Sequence, residues 1–277
     1  MKKVGFIDYF LDEWHANKYP EWIKNYSNGE YEVTYAYGEI DNPNGKTNAD
    51  WAQEFGVELC TTISEVVDKS DVLIVLSPDN SERHEDLCKE PLASGKPTYV
   101  DKTFAPNKAT AVKIFEMAQK GKTPVFSSSA LRFAEEYQEI APKSAAGVDL
   151  FGPGEDLNYL IHLAEPMVYL LGNDITRLRS IGGNTMIKLQ IEFKSGKVAF
   201  LTMPRTWDIG FEGHAYKADG YVKISPESDF FKGLIVAMIK FFDDQNPPVE
   251  KADTIALMGI IGAAEKAIAT PNEWVEV

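Results

Sequence analysis

Lys102 has a side chain that can donate or accept a proton. It stands at the carboxyl end of a predicted strand, where parallel sheets bind their ligands. It follows the apolar run Thr98–Val100, and Asp101 stands directly before it. A lysine beside a carboxylate at the end of a buried strand can act as an acid, a base or a hydrogen-bond donor to a substrate hydroxyl. The same pattern is also typical of a surface lysine–aspartate pair, and spacing alone favours that simpler interpretation.

His162 is a second residue whose type suits proton transfer near neutral pH. Asn158 stands four residues before it, so both side chains share one face of the predicted helix. A single histidine on an apolar helix is more often a core residue with a satisfied hydrogen bond. The spacing therefore admits both a catalytic and a structural role.

The segment Gly5–His15 contains three acids where a dinucleotide-binding protein would have the glycine pattern G-x-G-x-x-G. Asp8, Asp12 and Glu13 place carboxylates where a pyrophosphate would lie. Acids stabilise the start of a helix, so a capped helix is the favoured interpretation. Alternatively, these acids and His15 face a neutral polyol or a cation, although their spacing matches no metal-ligand pattern.

The elements that must hold these residues alternate between strands and helices up to about residue 123. A capping box at Thr62–Glu65 and a glycine at Gly121 mark helix ends, and one helix is predicted over Ser81–Ser94. Apolar runs predict six strands: Lys3–Ile7, Glu32–Tyr37, Val57–Cys60, Val72–Leu76, Thr98–Val100 and Val125–Ser128. This alternation predicts a doubly wound α/β domain with a parallel sheet.

After about residue 145 the pattern changes to that of an α+β domain. A helix over Asp156–Leu171 precedes strand-like stretches, of which Met186–Phe193 and Val198–Met203 flank a hairpin turn. Two amphipathic helices close the chain, the second over Ala252–Ala269. We expect domains at residues 1–123 and 124–277, the second built on a mostly antiparallel sheet. An open sheet of this kind often dimerises through its uncovered face, so a homo-oligomer is expected.

Composition excludes several classes of partner. The 277 residues include 28 Lys and Arg against 42 Asp and Glu, a formal net charge of -14, which disfavours nucleic acid and anionic membranes. Cys60 and Cys88 are too few for a disulfide framework or a four-cysteine zinc site, and such usage suits a reducing cytoplasm. No signal-peptide core is present, and the longest apolar stretch, Ile255–Ala264, is too short to span a bilayer.

Six stretches, taken in order, resemble the glucose–fructose oxidoreductase / inositol dehydrogenase family (Gfo/Idh/MocA). They are Phe55-Gly-Val57 with Val72–Pro78, His84, Gly95–Thr103, Leu131-Arg-Phe133, Asn158–His162 with Tyr169–Gly172, and Ile191–Gly196. Each stretch is of modest specificity, but the ordered series covers most of the chain.

The resemblance implies a Rossmann domain, an α+β substrate domain and nicotinamide-dependent oxidation of a sugar or cyclitol hydroxyl. Lys102 would bind the reacting hydroxyl and assist proton transfer, His162 would be the acid/base, and Asn158 would orient the substrate. Arg132 and Tyr159 would complete the substrate site. The predicted cofactor-binding residues are Asp8, Tyr9, Glu39, Ser77, Pro78, His84 and Asp101.

Four departures from the family pattern accompany the resemblance. The glycine loop is missing, Asn158 stands where the family usually has Asp, and Thr103 replaces a Pro. The segment over residues 141–156 is much shorter than its counterpart in the family. Glu39 or Asp41, after the second strand, could accept a ribose 2′-hydroxyl and would favour NAD over NADP.

Three hypotheses follow for the function. The favoured one is an NAD(P)-dependent oxidoreductase acting on a sugar or cyclitol hydroxyl. The second is a carbohydrate-active enzyme that works without nicotinamide, using Lys102 and His162 with the acids near Asp8. The third is a non-catalytic sugar-binding protein on the same fold, because a fold does not fix a function.

Overall fold

The computed structural model describes residues 1–183 and 185–277, which form two compact units. The first unit comprises Met1–Ala105, Ala109–Ser127 and Leu234–Glu250. The second comprises Pro106–Lys108, Ser128–Gly233 and Lys251–Val277. The first unit is therefore not a contiguous N-terminal stretch, because a segment from near the end of the chain completes it.

A parallel sheet of six strands forms the centre of the first unit. The strands are β1 (Lys2–Asp8), β2 (Tyr31–Gly38), β3 (Glu58–Leu59), β4 (Val72–Val75), β5 (Thr98–Val100) and β6 (Val125–Phe126). Their order in the sheet is β3-β2-β1-β4-β5-β6, and β4 and β5 are buried throughout. The chain thus winds outward in both directions from β1, as a doubly wound sheet does, and the predicted fold class is confirmed.

Helices on the strand connections cover this sheet. They are α1 (Trp14–Tyr26), α2 (Asn48–Phe55), α3 (Ile63–Lys69), α4 (His84–Leu87), α5 (Lys89–Ala93) and α6 (Lys108–Gly121). Thr62 caps α3 by accepting a hydrogen bond from the Glu65 amide, as the capping-box pattern predicts. α6 buries Ala111, Ile114 and Phe115 along one face.

The single helix predicted over Ser81–Ser94 is wrong. A 3₁₀ turn at Ser81–Arg83, α4 and α5 occupy this stretch instead. Pro91 lies inside α5 and has no backbone N–H for the carbonyl of Leu87, so a continuous ladder of hydrogen bonds cannot run through it.

The second unit is built on a sheet of seven strands. They are β7 (Gly147–Phe151), β8 (Ile175–Ser180), β9 (Ile187–Phe193), β10 (Val198–Met203), β11 (Glu212–Lys217), β12 (Gly220–Ile224) and β13 (Val275–Glu276). The order is β12-β11-β7-β10-β9-β8-β13. Within the described part of this second sheet, only β7 and β10 pair in parallel. The predicted hairpin is β9 and β10, and the predicted mostly antiparallel sheet is confirmed.

Four helices follow along this part of the chain: α7 (Glu135–Gln138), α8 (Ile161–Leu171), α9 (Phe230–Asp244) and α10 (Lys251–Ala269). α8 is buried along almost its whole length and packs on β7, while α10 packs on β8. The predicted helix from Asp156 begins as a 3₁₀ turn, Leu157–Leu160, which leads directly into α8. In the described ranges, the structure contains no helix long and apolar enough to cross a membrane.

Candidate functional site

The carboxyl ends of β1, β4 and β5 bring several predicted site residues to one edge of the first sheet. Asp8 is the last residue of β1, Ser77 and Pro78 follow β4, and Asp101 and Lys102 follow β5. Neighbouring parallel strands end at the same edge, which is where such sheets bind ligands. Ser77 holds a left-handed backbone conformation with φ of 81° and is buried.

Three carboxylates and one imidazole form a cluster at this edge, which we call the first-turn cluster: Asp8, Glu13, His15 and Asp101. Nδ1 of His15 lies 3.2 Å from Oε2 of Glu13 and 3.5 Å from Oδ2 of Asp101. The other oxygen of Asp101 accepts a hydrogen bond of 2.9 Å from the Tyr99 hydroxyl. Burial alone would lower the pKa of His15, but the charges of Asp101 and Glu13 outweigh it, and the pKa of His15 is raised.

Asp8 is a buried acid of the first-turn cluster, with a relative exposure of 1%. Its Oδ1 accepts a hydrogen bond of 2.7 Å from the amide of Tyr9, whereas Oδ2 has no hydrogen-bond partner among the described residues. Burial, and then the like charges of Glu13 and Asp101, hold the pKa of the Asp8 carboxyl well above its usual value.

Glu13 is the N-cap of α1. Its carboxylate accepts a hydrogen bond of 2.7 Å from the amide of His15 and another from the amide of Ala16. These amides are among the donors that the start of a helix leaves without an intrahelical partner. The helix-capping interpretation of the acids is confirmed for Glu13.

Lys102 and His84 are both buried at this edge. Nζ of Lys102 donates to the carbonyl of Pro78 at 3.4 Å, and the side chain is positioned between the segments that follow β4 and β5. The ring nitrogens of His84 lie 2.5 Å from the carbonyl oxygen of Leu76 and 3.1 Å from that of Phe104. Burial lowers the pKa of His84, and its two carbonyl contacts link the end of β4 to the segment after β5. Its predicted contact with a cofactor stays a prediction.

Glu39, which follows β2, pairs with Arg83, which lies in the 3₁₀ turn after β4. Nη2 of Arg83 is 2.6 Å from Oε1 and 2.9 Å from Oε2 of Glu39, and Nε is 3.2 Å from Oε2. The guanidinium also lies over the ring of Tyr9, 5.7 Å from its centroid. The acid predicted to hold a ribose is therefore engaged by a side chain of the same unit.

In the second unit, His162 stands in the first turn of α8 beside Ser129. Nδ1 of His162 lies 2.7 Å from Oγ of Ser129. The centroids of Tyr159 and Phe211 lie 4.4 Å and 6.1 Å from that of His162, and the ring of Trp207 lies 4.8 Å from that of Tyr159. We call Ser129, His162 and these three aromatic residues the His162 cluster.

Asn158 and Tyr159 belong to the 3₁₀ turn that leads into α8, so both precede His162 by about one turn. Tyr159 and Asn158 are half-buried, and Trp207 is 52% exposed. The histidine therefore lies at a partly open aromatic surface rather than in a closed core. The predicted substrate residues Asn158 and Tyr159 are placed beside the predicted acid/base.

Arg132, also predicted to bind substrate, lies in a buried ionic network of the second unit. Its guanidinium is 3.0 Å from Oε1 of Glu165 and 3.2 Å from Oδ2 of Asp253, and it lies over the ring of Tyr169. Burial raises the pKa of Glu165 in spite of the nearby Arg132. Glu165 is on the same helix as His162, so the network fixes the element that carries the histidine.

The sequence pattern did not reveal several of these partners. Glu165 follows His162 by three residues, a spacing that places both on neighbouring positions of one helix and that could have singled it out. Ser129, Phe211 and Arg83 carry no local signal, because the segments that bring them to His162, Tyr159 and Glu39 are distant in sequence. Within the described residues, no group of three or more His, Cys, Asp or Glu side chains could hold a metal ion.

Comparisons with known proteins agree with this architecture. Residues 21–128 match the family model GFO_IDH_MocA, described as an oxidoreductase family with an NAD-binding Rossmann fold. The matched region begins inside α1, after the first-turn acids. Among curated proteins, no sequence matches this chain.

Solved structures match the whole chain. A probable dehydrogenase from Thermotoga maritima superimposes with a TM-score of 0.80 at 13% identity, over 99% of this chain and 98% of that one. Myo-inositol dehydrogenase from Lactobacillus casei, in complex with NAD(H) and myo-inositol, gives 0.78 at 14%, over 100% and 96%. Apo scyllo-inositol dehydrogenase from the same organism gives 0.78 at 14%, over 99% and 98%. At these identities the likeness concerns the fold.

The first turn does not fit the pyrophosphate of the dinucleotide that the family description names. A Rossmann fold offers the pyrophosphate free amides at the start of the first helix and glycines that let it approach. Here Glu13 already accepts from the amides of His15 and Ala16, and Asp8 adds a buried carboxyl with an unpartnered oxygen. No step of a reaction is therefore assigned to a dinucleotide.

Proposed function

Because the resemblance to the Gfo/Idh/MocA family holds in sequence over residues 21–128 and in fold over the whole chain, we propose that this protein binds a sugar or cyclitol and transfers a proton at one of its hydroxyl groups. His162 is the proposed acid/base. The observation that carries the proposal is the His162 cluster, in which a hydrogen-bonded imidazole adjoins a partly exposed aromatic surface.

The aromatic residues of the His162 cluster suit the shape of such a ligand. Sugar and cyclitol rings present apolar C–H faces, which pack against aromatic rings, and an outer rim of hydroxyl groups. Trp207 is half-exposed, and the rings of Tyr159 and Phe211 stack with centroids 6.3 Å apart. A ligand ring on this surface would bring its hydroxyl groups to the imidazole and to the amide of Asn158.

Ser129 prepares His162 for proton transfer in either direction. A serine hydroxyl can donate a hydrogen bond to Nδ1 or accept one from it, so it can accompany both tautomers of the imidazole. When Ser129 accepts from Nδ1–H, Nε2 of the neutral ring is the base. Once Nε2 has taken the proton, the imidazolium is the acid that returns it, and Ser129 still accepts from Nδ1–H. The catalytic role of Lys102, which belongs to the first unit, stays a prediction.

The test is a ligand screen by thermal shift with inositols and hexoses, followed by calorimetric titration of each hit. We expect Trp207→Ala to raise Kd at least about tenfold, since a stacked aromatic contact is lost. His162→Gln should abolish turnover of the ligand, whereas His214→Gln, which changes a histidine of β11 in the same unit, should not. Turnover that survives His162→Gln would refute the assignment of the acid/base.

A second candidate function is an NAD(P)-dependent oxidoreductase of the same sugar or cyclitol hydroxyl. It is favoured by the family description and by the neighbour solved with NAD(H) and myo-inositol. Glu39 would favour NAD over NADP. Reduction of NAD⁺ or NADP⁺ in the presence of a confirmed ligand, followed at 340 nm, would establish it, whereas a ligand that binds without any conversion supports a sugar-binding protein.

A further inference from the structure

The amides that would hold a pyrophosphate are bound by the chain itself. The carboxylate of Glu13 receives both the His15 and the Ala16 amides at the start of α1, and its side chain is only 7% exposed. A helix start binds anions through these amides and through the positive end of its dipole. Glu13 therefore occupies, as an internal anion, the position at which the fold receives a phosphate.

Two further buried carboxyl groups lie in the same cluster as Glu13. Asp8 and Asp101 are each 1% exposed, and Asp101 faces His15 at 3.5 Å. His15 is the imidazole of the first-turn cluster, and it is shared by Glu13 and Asp101. A pyrophosphate at this edge would meet the carboxyl groups of Asp8, Glu13 and Asp101 and a single imidazole.

A bridge of side chains crosses the same edge. In the sheet order β1 lies between β2 and β4, Glu39 follows β2, and Arg83 lies in the turn that follows β4. The bidentate contact between them therefore passes over the end of β1, where Arg83 covers the ring of Tyr9. A dinucleotide in a Rossmann fold crosses the sheet along this line.

The loop after β1, which carries the acids, is held in its conformation by hydrogen bonds. The acidic side chains therefore cannot turn toward solvent without breaking these bonds. The amide of Leu11 donates to Oδ1 of Asn48 at 3.0 Å, and Nδ2 of Asn42 donates to the carbonyl of Asp12 at 2.7 Å. The amide of Lys46 donates to the carboxylate of Asp12 at 2.8 Å. The loop after β2 thus holds the loop after β1 in place.

We infer that the first unit has replaced its dinucleotide by its own side chains. Glu13 stands in for the pyrophosphate at the start of α1, and the Arg83–Glu39 bridge closes the path to the ribose position. The first unit has a structural role and does not bind NAD(H) or NADP(H). This inference concerns the first unit alone, so it holds or fails independently of sugar binding at the His162 cluster.

The test compares the full-length protein with variants of one helix. Wild-type protein is titrated with NADH and NADPH by fluorescence, and with sodium pyrophosphate by calorimetry at low ionic strength. Glu13→Ser keeps a capping side chain and removes the charge. Glu21→Ser, which removes an exposed acid of the same helix, is the matched control. Glu13→Gln keeps an acceptor of similar length and serves if the serine variant does not fold.

Wild-type protein is expected to show no saturable binding of either nucleotide at millimolar concentration. Glu13→Ser should bind pyrophosphate on the order of tenfold more tightly than both wild type and Glu21→Ser, because the carboxylate that repels an anion at the helix start is removed. Saturable binding of NADH by the wild type overturns the inference. It is also overturned if both Glu13 variants bind pyrophosphate no better than Glu21→Ser.

Discussion

Asp8 makes the stability of the folded chain depend on pH. The pKa of its carboxyl is raised in the folded chain by burial and by the charges of Glu13 and Asp101. The folded chain therefore keeps a proton that the unfolded chain releases above pH 3.8, so stability falls as the pH rises through the window between the two pKa values. His15 has the same sign, since its raised pKa stabilises the fold below pH 6.5 and that contribution is lost at higher pH.

Asp8→Asn is expected to stabilise the protein at pH 7 and to leave it nearly unchanged at pH 4. Asparagine keeps an acceptor for the Tyr9 amide but cannot ionise, and each unit between folded and unfolded pKa values is worth about 1.4 kcal/mol. Urea unfolding at both pH values measures the effect, with Asp219→Asn in an exposed turn as the control. A variant less stable than wild type at pH 7 would contradict a pKa of Asp8 that burial and its acidic neighbours raise.

Arg132 illustrates a residue whose charge is needed by its neighbours. Arg132→Ala would leave Glu165 and Asp253 without their shared guanidinium in a buried environment, so we expect a loss of about 3–5 kcal/mol in the free energy of unfolding. Arg177→Ala removes a half-exposed pair with Glu192 and should cost roughly 1 kcal/mol. Chemical denaturation of both variants measures the difference, and equal losses would show that the network contributes little.

Elements with a single strong local signal could be predicted from the sequence, and elements set by distant contacts could not. β5 was predicted at its observed bounds, because Thr98–Val100 is buried throughout and is bounded by the turn signals Gly95 and Pro97. β7 was missed, because Asp149 and the flanking glycines interrupt its apolar residues, and its position follows from pairing with β10 and β11.

The candidate site divides in the same way. Lys102 and His162 could be singled out by residue type and by their place at the end of a strand or on a helix. The approach of His15 to Asp101, and of Ser129 to His162, depends on how distant segments pack. The spacing of residues along the sequence carries no information on such distances. The sequence therefore shows that acids are concentrated in the first turn, but not that Glu13 binds the amides at the start of α1.

Gly5 shows why the first strand carries a glycine although no glycine loop follows it. A Cβ at this position would lie 2.4 Å from Oγ of Ser70 and 2.5 Å from Cγ1 of Val66, because α3 packs closely on β1. Gly5→Ala is expected to destabilise the protein by about 1–3 kcal/mol through overpacking.

Gly210→Ala is the matched control for Gly5→Ala, since nothing lies within 4 Å of the added carbon. It should change the free energy of unfolding by less than about 1 kcal/mol. Thermal or urea unfolding measures both variants. A Gly5→Ala protein as stable as the control would mean that α3 can shift away from the strand without cost.

At the scale of the whole molecule, the seven-stranded sheet supports the expected homo-oligomer. β9 and β10 alternate between buried and half-buried residues, so that Phe200 and Gln190 lie on the face opposite Leu189 and Leu201. We expect wild-type protein to elute as a multiple of its chain mass of 30.9 kDa. This face presents Val198 and Phe200 beside polar side chains, and such a face can form a self-complementary interface.

Phe200→Asp is expected to lower the observed mass to that of one chain, because a charge would be buried in the interface. Light scattering after size-exclusion chromatography measures the mass. Val236→Asp makes a comparable change at an exposed position of α9 and should not alter it. A wild type that is monomeric over the whole concentration range would refute the oligomer.

The return of Leu234–Glu250 to the first unit has a consequence for how the protein is made. Phe241 packs on Phe126 with ring centroids 4.9 Å apart, and Asp243 accepts hydrogen bonds from Lys2 and the hydroxyl of Tyr31. During synthesis the ribosome releases these partners long before residue 241 emerges. Part of the core of the first unit therefore stays uncovered until residues 234–250 have been translated. A gene fragment encoding only its N-terminal strands would not yield a finished unit.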